Sequence, residues 1–530
     1  MAKRVGAGFY FLNVTQFLGA FNDNILKQVL MFGLLSGGVW SLYLGQGGQA
    51  WASICLCIPF ILFSGFAGQF SDKYSKRRIS VVTKWSEIPI ALFAMVGLWF
   101  SYLPIVMFAL FAIALQSTFF SPAKFGILPE IIPDNKLSRA NGTMNMFTWF
   151  SIILGCALGG FVYDDYAADP TQGAAKRVAQ AVNRIESPRT VLIAASVDKK
   201  NDKFVGELKQ ALAKRHSVNP VVQTNSNDVR SALKQADASG HPVNVIACTS
   251  AAAKWDSVVQ SQVEIIKPVR MLWLPGIVLL IVGTLGTIAS HGISVVPAQN
   301  PKRKISYWMV DGYFQTWRKF RGTTAMTALF AYAFFYMIIV GVGAMIVIDY
   351  KVVLGIDATT ASLLMVILVV PMGIGDYTAG LASRGRIRPE LLTIGNIGAA
   401  TAFMALGLIP LSFYSNPAAF YVVAIILGLG GFMCGFVMVP LQTMIQYLAG
   451  DEQRGRLLGF WNCITFSGVV IGNGVYYVLR NLETCTWGWL QAVPATYVWI
   501  LCAVLTIIFQ LLYFFRWRKP FAQAVEGFKG

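Results

Sequence analysis

The sequence predicts an all-α polytopic membrane protein, a twelve-helix fold of two six-helix bundles with a small α/β domain inserted between helices 5 and 6. Of the 530 residues, 55% are hydrophobic and only 13% are charged, whereas a soluble globular protein carries about 25% charged residues. The apolar residues lie in long blocks, some near the ~20 residues that span a bilayer. Disordered, collagen-like and disulfide-rich secreted proteins are therefore excluded.

Twelve apolar segments have the length expected of transmembrane helices. They are predicted near 9–35, 49–70, 79–101, 103–121, 139–162, 269–290, 323–348, 359–381, 390–412, 417–440, 457–479 and 493–515. The first segment is too long for a cleavable signal peptide and contains Asn22-Asp23-Asn24, so we expect it to be retained as the first helix.

These segments divide the chain into five predicted regions. The regions are an N-terminal bundle of helices 1–5 (1–162), the inserted domain (163–267), the sixth helix that completes the first bundle (268–300), a basic linker (301–322), and a C-terminal bundle with a short basic tail (323–530).

The net charge of +18 indicates membrane topology rather than nucleic-acid binding. With the N-terminus inside, the predicted inner segments hold 24 Lys and Arg residues, and the short outer loops hold only Lys351 and Arg480. This bias follows the positive-inside rule and predicts that both termini are cytoplasmic. We expect a multi-pass protein of the bacterial inner membrane, with its basic residues attracted to anionic lipid head groups.

The segment 163–267 is the hydrophilic exception, with 14 Lys/Arg against 11 Asp/Glu. Strand and helix patterns alternate in it, at 190–197, 202–215, 218–224, 227–238 and 242–249. This order predicts a small parallel α/β domain. We place it outside the membrane, because long domains are translocated regardless of charge. It has no Gly-rich phosphate loop, and we interpret it as a spacer or as a docking domain for an extracytoplasmic partner.

No cofactor, metal site or enzymatic activity is predicted. The eight cysteines include no CxxC pair, and three scattered histidines do not make a zinc site. None of those histidines has an Asp five residues later, which is the pair that an acyltransferase would need.

A loop motif between the second and third segments predicts a gate. Its residues run Gly68-Gln-Phe-Ser-Asp72-Lys-Tyr-Ser-Lys-Arg77-Arg78, and it resembles the loop signature of the major facilitator superfamily. Gly68 allows close helix approach, and Asp72 is able to pair with cations or helix N-termini. The alternative is a plain basic anchor. In the second half, 380–388 is a degenerate echo with Arg384 at the position of Asp72.

Three further strings are more specific, namely 13–27 (NVTQFLGAFNDNILK), 119–130 (FFSPAKFGILPE) followed by Ala140-Asn141, and 440–446 (PLQTMIQ) followed by Arg454-Gly-Arg456. With them, 1–162 and 268–515 resemble the lysophospholipid transporter (LplT-like) branch of that superfamily. The resemblance implies flipping of lysophospholipids, chiefly lysophosphatidylethanolamine, across the inner membrane for reacylation, with a separately encoded acyltransferase as a partner. Two features depart from the pattern: the insertion, and Asp376 where relatives carry a small residue.

A polar stripe on the first helix predicts the substrate site. Gln16, Asp23, Asn24 and Lys27 fall, with Asn13 and Gln28, within an arc of about 140°, whereas Asn22 points the other way. Asp23 would hold the head-group ammonium or a coupling cation, Gln16 and Asn24 would donate hydrogen bonds, and Lys27 would attract the phosphate. The alternative is a structural Asp23–Lys27 pair.

Charged residues on the third, fourth and eighth segments extend these hypotheses. Lys84 and Glu87 form a second pair three residues apart, and Lys124 stands at the inner mouth of the fourth segment. Glu87 and Lys124 are added to the predicted substrate site. Asp376 is expected to pair with Arg384 or Arg386.

The sequence leaves two other functions open. One is an ion-coupled exporter of a small amphipathic molecule such as a drug or siderophore, working by alternating access like the lipid transporter. The other is a membrane sensor that uses the inserted domain to recognise a ligand.

Overall fold

The computed structural model describes residues 6–34, 39–40, 43, 49–167, 172–184, 190–195, 199–213, 216–223, 226–240, 242–248, 264–266, 271–354, 356, 358–480 and 493–526. The first part is built of long helices. They are α1 (Ala7–Leu34), α2 (Gln49–Lys73), α3 (Lys76–Trp99), α4 (Leu103–Ile131) and α5 (Leu137–Ala167), with α9 (Leu274–Ser290) after the insertion.

The second part repeats this construction. It consists of a short helix α10 (Asp311–Phe320), then α11 (Thr324–Tyr336), α12 (Ala344–Val353), α13 (Ala358–Ala382), α14 (Leu391–Gly407), α15 (Ala419–Leu448), α16 (Arg454–Arg480), α17 (Val498–Leu512) and α18 (Arg518–Val525). Two π-helical segments, Met337–Gly343 and Tyr513–Trp517, join α11 to α12 and α17 to α18.

Several helix ends differ from the predicted ones. α4 continues through Pro122 and Pro129 to Ile131 instead of ending at 121, and α15 continues through Pro440 to Leu448 instead of ending at 440. In these packed bundles, neighbouring helices satisfy the backbone groups that a proline frees, so the helices do not stop.

The insertion contains a small parallel sheet with helices. In chain order the elements are α6 (Gln172–Asn183), β1 (Thr190–Ala195), α7 (Lys199–Leu212), β2 (Ser217–Gln223), α8 (Ser226–Ala238), β3 (Val243–Cys248) and β4 (Glu264–Ile266). The strand order is β2-β1-β3-β4 and each pair is parallel. The first three strands and both intervening helices lie where the sequence pattern predicts them. β4 was not predicted, because three residues are too short for a pattern.

Membrane-spanning character is clear from length and hydropathy. Among the described residues, nine helices are long and apolar enough to cross a membrane, and two shorter apolar helices, Leu274–Ser290 and Leu391–Gly407, accompany them. α1 is not one of the nine, because its polar stripe lowers its mean hydropathy. Large apolar side chains such as Ile281, Ile288 and Ile425 are more than half exposed, as lipid-facing positions require.

The helices form two bundles that meet along two lines. α1 packs between α5 and α9, α4 packs against α2 and α3, and α15 packs against α11, α13 and α14. Between the bundles, α2 lies along α16 and α5 lies along α13. The interiors of the bundles hold separate clusters of buried apolar side chains.

The short helix α10 lies across one of these lines. Tyr313 donates its hydroxyl to the Ile61 carbonyl of α2 (2.7 Å), and its ring packs 6.1 Å from that of Phe460 on α16. Phe314 on this helix is exposed, and so is Trp308, which lies just before the helix begins. Such a one-sided aromatic face, next to basic residues, is typical of a helix in the membrane interface.

Candidate functional site

The polar stripe of α1 faces the interior of the first bundle. The Asp23 Oδ2 atom accepts a hydrogen bond from the Ser117 hydroxyl of α4 at 2.6 Å. Its Oδ1 atom is buried and accepts no hydrogen bond from the described residues. Although Lys27 lies four residues away, the ion pairs of the described residues do not join it to Asp23. The carboxylate is therefore held by one neutral donor and keeps one oxygen free.

Gln16 and Lys124 meet at a second polar contact nearby. Lys124 on α4 donates to the Gln16 Oε1 atom at 2.8 Å, and Gln16 donates to Thr148 of α5 at 3.2 Å. The Lys124 ammonium also lies 4.7 Å from the centre of the Phe125 ring, a favourable cation–π distance. This contact joins three helices and leaves the Lys124 charge without a carboxylate partner among the described ion pairs.

Asn24 and Lys27 lie further along the same face. Lys27 approaches the Asn24 Oδ1 atom at 3.5 Å, and Asn24 donates to the Ala20 carbonyl at 2.7 Å. Both side chains are half-buried. Asn24 and Lys27 thus form a third polar contact on this face, after those of Asp23 and Gln16. All four predicted residues of α1 lie on the same side of the helix.

Glu87 occupies a different place from the other predicted residues. It pairs with Lys84 at 2.6 Å, and Asn22, on the far side of α1, donates to its second oxygen at 2.6 Å. Both charged side chains are almost completely buried. These bonds join α1 to α3, and both Glu87 oxygens are used within the bundle. Both oxygens of Glu87 therefore already have protein partners, and its substrate-binding role stays a prediction.

Asp72 closes the line between α2 and α16. Its Oδ1 accepts the Gly455 backbone N–H at the start of α16 (2.7 Å), and its Oδ2 accepts from Arg456 (3.2 Å) and Arg303 (3.4 Å). A Cβ atom added at Gly68 would stand 2.5 Å from the Gly455 carbonyl oxygen. We call this cluster, Gly68, Asp72, Arg303, Gly455 and Arg456, the Asp72 seam.

The charges around Asp72 favour its ionised form. Asp72 is completely buried and faces both a helix N-terminus and two guanidinium groups, each of which stabilises a carboxylate. Burial and the neighbouring Arg456 lower the pKa of the Arg303 guanidinium below its ordinary value, and Asp72 opposes that shift. The carboxylate thus holds together two like charges that would otherwise repel.

The two predicted gate arginines do not join this cluster. Arg77 donates to the carbonyls of Ile293 and His291, both at 2.8 Å, and so binds the chain that follows α9 within the same bundle. Arg78 is exposed and points away from α16, toward a groove of α2, α3 and α4. Of the four predicted gating residues, Gly68 and Asp72 stand between the bundles.

A second seam closes the line between the first bundle and the helices α13 and α15. Asn141 of α5 exchanges hydrogen bonds with Gln446 (2.9 and 3.0 Å), and also bonds Thr443 and Gln442. A Cβ atom added at Gly380 would stand 2.9 Å from the Ser138 carbonyl oxygen. We call this group, Ser138, Asn141, Gly380, Gln442, Thr443 and Gln446, the Asn141 seam.

Asp376 lies beside that seam, completely buried. Trp149 of α5 donates its indole N–H to the Asp376 Oδ2 atom at 3.0 Å. The expected pairing with Arg384 or Arg386 is wrong, since those two side chains are exposed at the end of α13, two turns beyond Asp376. A carboxyl group between the bundles is therefore held by an indole.

Several residues of the site were not predicted. Ser117, Thr148 and Arg303 each bind a predicted residue from another helix or from the linker. Asn141 and Gln446 belong to strings that carried the resemblance, but no role followed from them. The available signal was polarity within apolar helices, which marks interior faces. In the described part of the chain, no group of three or more His, Cys, Asp or Glu could hold a metal.

Comparisons with known proteins agree with this architecture. Residues 269–473 match the family model described as Major Facilitator Superfamily. An outward-conformation crystal structure of the transporter FucP superposes with a TM-score of 0.57 at 13% identity, covering 95% of this chain and 98% of that one. The chain therefore shares the fold of major facilitator superfamily transporters. An outward-facing bacterial homologue of the iron transporter ferroportin gives a TM-score of 0.54 at 12% identity, covering 95% and 100%.

Part of the chain is similar to curated lysophospholipid transporters. The chain is 34% identical over 149 residues to the lysophospholipid transporter LplT of Klebsiella pneumoniae, covering 28% of this chain and 35% of the relative. It is 32% identical over 151 residues to LplT of Photorhabdus laumondii, with the same coverage. The matched part spans about a third of those relatives. The predicted resemblance to the LplT-like branch is confirmed, and the matched family consists of transporters rather than enzymes.

Proposed function

We propose that this protein flips lysophospholipids of the lysophosphatidylethanolamine type across the bacterial inner membrane by alternating access. One observation carries the proposal. The first bundle holds a carboxylate, Asp23, and an ammonium, Lys124, which attract each other without forming an ion pair. Among the described residues each is hydrogen-bonded only to neutral groups. A zwitterionic head group supplies the opposite charge to each.

In this proposal the Asp23 Oδ1 atom receives the head-group ammonium. Lys124 and Lys27 attract the phosphate as point charges, and Gln16 and Asn24 add hydrogen bonds. Because charge inside a membrane is costly, a site that neutralises both ends of a zwitterion favours this substrate over an uncharged amphiphile. The similarity to LplT proteins supports the same substrate class.

The proposed cycle uses the two seams as its gate. Asp72 lies at the C-terminal end of α2 and Asn141 lies near the N-terminal end of α5, so the two seams are on the same side of the molecule. Their hydrogen bonds between the bundles close both of them in this conformation. Positive-inside counting places that side in the cytoplasm, which makes the conformation outward-facing. The layout that we propose has twelve crossing helices, cytoplasmic termini and an extracytoplasmic domain at 163–267. That domain serves as a spacer or docks a partner, and a separate acyltransferase consumes the product.

A flipping assay in proteoliposomes tests the function. Fluorescent lysophosphatidylethanolamine should move in a protein-dependent manner, while its diacyl counterpart should not. Asp23→Asn should slow this movement by about tenfold or more, because a charge-assisted contact worth about 1.5–3 kcal/mol is lost. Asp237→Asn, at an exposed carboxylate of α8, is the matched control and should leave the rate unchanged.

Two outcomes would overturn the proposal. Movement of neither lipid by folded protein would favour the ion-coupled exporter of small amphipathic molecules. A normal rate in folded Asp23→Asn would remove the head-group assignment.

A further inference from the structure

A groove opens on the outer side of the first bundle. It is lined by α2, α3 and α4, including Phe70, Tyr74, Arg78, Val82, Ile90 and Gln116, and its volume is about 680 Å³. We call it the lateral groove. Val82 is 59% exposed at its rim, so the groove faces the lipid rather than the interior of the bundle. Its size falls within the ~300–1,000 Å³ typical of ligand sites.

Two polar side chains of the lateral groove carry N–H donors that have no acceptor among the described residues. Arg78 is exposed at the end where α3 begins, and no carboxylate or carbonyl in the described part of the chain binds its guanidinium. Gln116 is 5% exposed at the deep end, and its Nε2 atom has no hydrogen-bond acceptor there. A free guanidinium and a free amide N–H both suit an anionic or oxygen-rich group, while the walls between them suit a hydrocarbon chain.

The length of the groove matches one acyl chain. From Arg78 to Ile90 along α3 the distance is about 18 Å at 1.5 Å per residue, close to half of the ~30 Å hydrocarbon thickness. The deep end also adjoins the central site, because the Gln116 side chain lies 3.0 Å from the Ser117 hydroxyl, whose single hydrogen is donated to Asp23. The groove therefore runs from the gate end of the bundle to the depth of the substrate site.

We propose that the lateral groove binds the acyl chain of a lysophospholipid in the cytoplasmic leaflet, with the lipid phosphate on Arg78. This inference rests on the proposed function, since it names where the product resides on leaving the central site. It also gives Arg78 a role that the gate does not, because that side chain does not reach α16.

Photo-crosslinking of the full-length protein tests the proposal by binding rather than by transport. The probe is lysophosphatidylethanolamine with a diazirine in its acyl chain, in phosphatidylethanolamine vesicles, and adducts are mapped by mass spectrometry. Adducts should concentrate on 70–90 and 112–119. Val82→Trp should lower them by about tenfold, because an indole overfills the groove. Val96→Trp, lipid-exposed on the same helix but outside the groove, should not.

Arg78 variants test the phosphate contact. Arg78→Gln should lower adduct yield by about tenfold, because the charge-assisted contact with the phosphate is lost, and Arg78→Lys should retain most of it. Uniform adducts around the bundle, or unchanged adducts in Val82→Trp, would show lipid of the surrounding bilayer only and overturn the proposal. Groove adducts that respond to both variants uphold the binding site even if no lipid is flipped, in which case the proposed function alone fails.

Discussion

The Asp72 seam and the Asn141 seam occupy matching positions on the two lines where the bundles meet, yet they close by different chemistry. Both place glycine against backbone, Gly68 on Gly455 in one and Gly380 on Ser138 in the other. In the Asp72 seam a buried carboxylate binds two guanidinium groups and a helix N-terminus. In the Asn141 seam the contacts are between neutral amides and a hydroxyl.

This difference indicates a division of labour. A charge-assisted cluster is stronger than a neutral one, and it depends on a single residue, Asp72, whose loss leaves two arginines unpaired. A network of amides spreads its energy over several bonds of about 1 kcal/mol each. We therefore expect the Asp72 seam to contribute most of the energy that holds the gate closed. The Asn141 seam should keep the bundles in contact while they move against each other.

The largest effect should come from filling either glycine contact. Gly68→Leu and Gly380→Leu should each abolish lysolipid flipping, because a Cβ alone already meets backbone within about 3 Å and the bundles could not close. Flipping rates and size-exclusion profiles of both variants check this. Gly474→Leu, where a Cβ meets nothing within 4 Å, is the control. If only one variant lost transport, the seams would not be equivalent in packing.

The next effect separates the seams by charge. Asp72→Asn should lower flipping by about tenfold and open the seam, since about 1.5–3 kcal/mol of charge-assisted bonding is lost. Alkylation of a single cysteine placed at Ser71, which is fully buried, should become faster in a cysteine-free chain. Asn141→Asp adds a charge to the Asn141 seam and tests that seam in the same way. Equal alkylation rates with and without the Asp72→Asn substitution would show that Asp72 does not hold the seam closed.

The smallest effect concerns the loop that echoes the gate motif. Arg384 is exposed and has a φ of 46°, a left-handed conformation that costs about 1–2 kcal/mol for most residues and less for Asn. Arg384→Asn should therefore raise the free energy of unfolding by roughly 0.5–1 kcal/mol and leave flipping unchanged. Denaturant unfolding in detergent measures the first. A loss of flipping as large as that of Asp72→Asn would show that both loops contribute equally to the gate.

Much of this arrangement follows from local sequence patterns. The apolar blocks predict most helices, and the 100° periodicity of α1 separates Asn22 from the stripe, as its bond to Glu87 shows. The gate motif predicts the chemistry of Asp72, because a carboxylate among basic residues needs cations or helix N-termini.

Long-range partners could not be predicted in the same way. Gly455 is 383 residues from Asp72, and nothing local in either segment encodes their contact. Arg78 and Arg77 are adjacent in one basic run, and only the packing of α3 turns one toward α9 and the other toward the lateral groove. Helix ends at prolines were predicted too early, since a single sequence does not show which neighbours satisfy the freed carbonyls.

The π-helical segment Met337–Gly343 has a consequence for the second bundle. The Ala344 backbone N–H reaches back to the carbonyl of Ile339, so this stretch carries wider turns than an α-helix. Tightening it by one residue would swivel α12 by about 100° about its axis while α11 kept its orientation. Asp349, which now binds Tyr476 and Arg480 at the end opposite the seams, would be carried away from both. A change in this one turn of backbone would therefore break the contacts of Asp349 with α16.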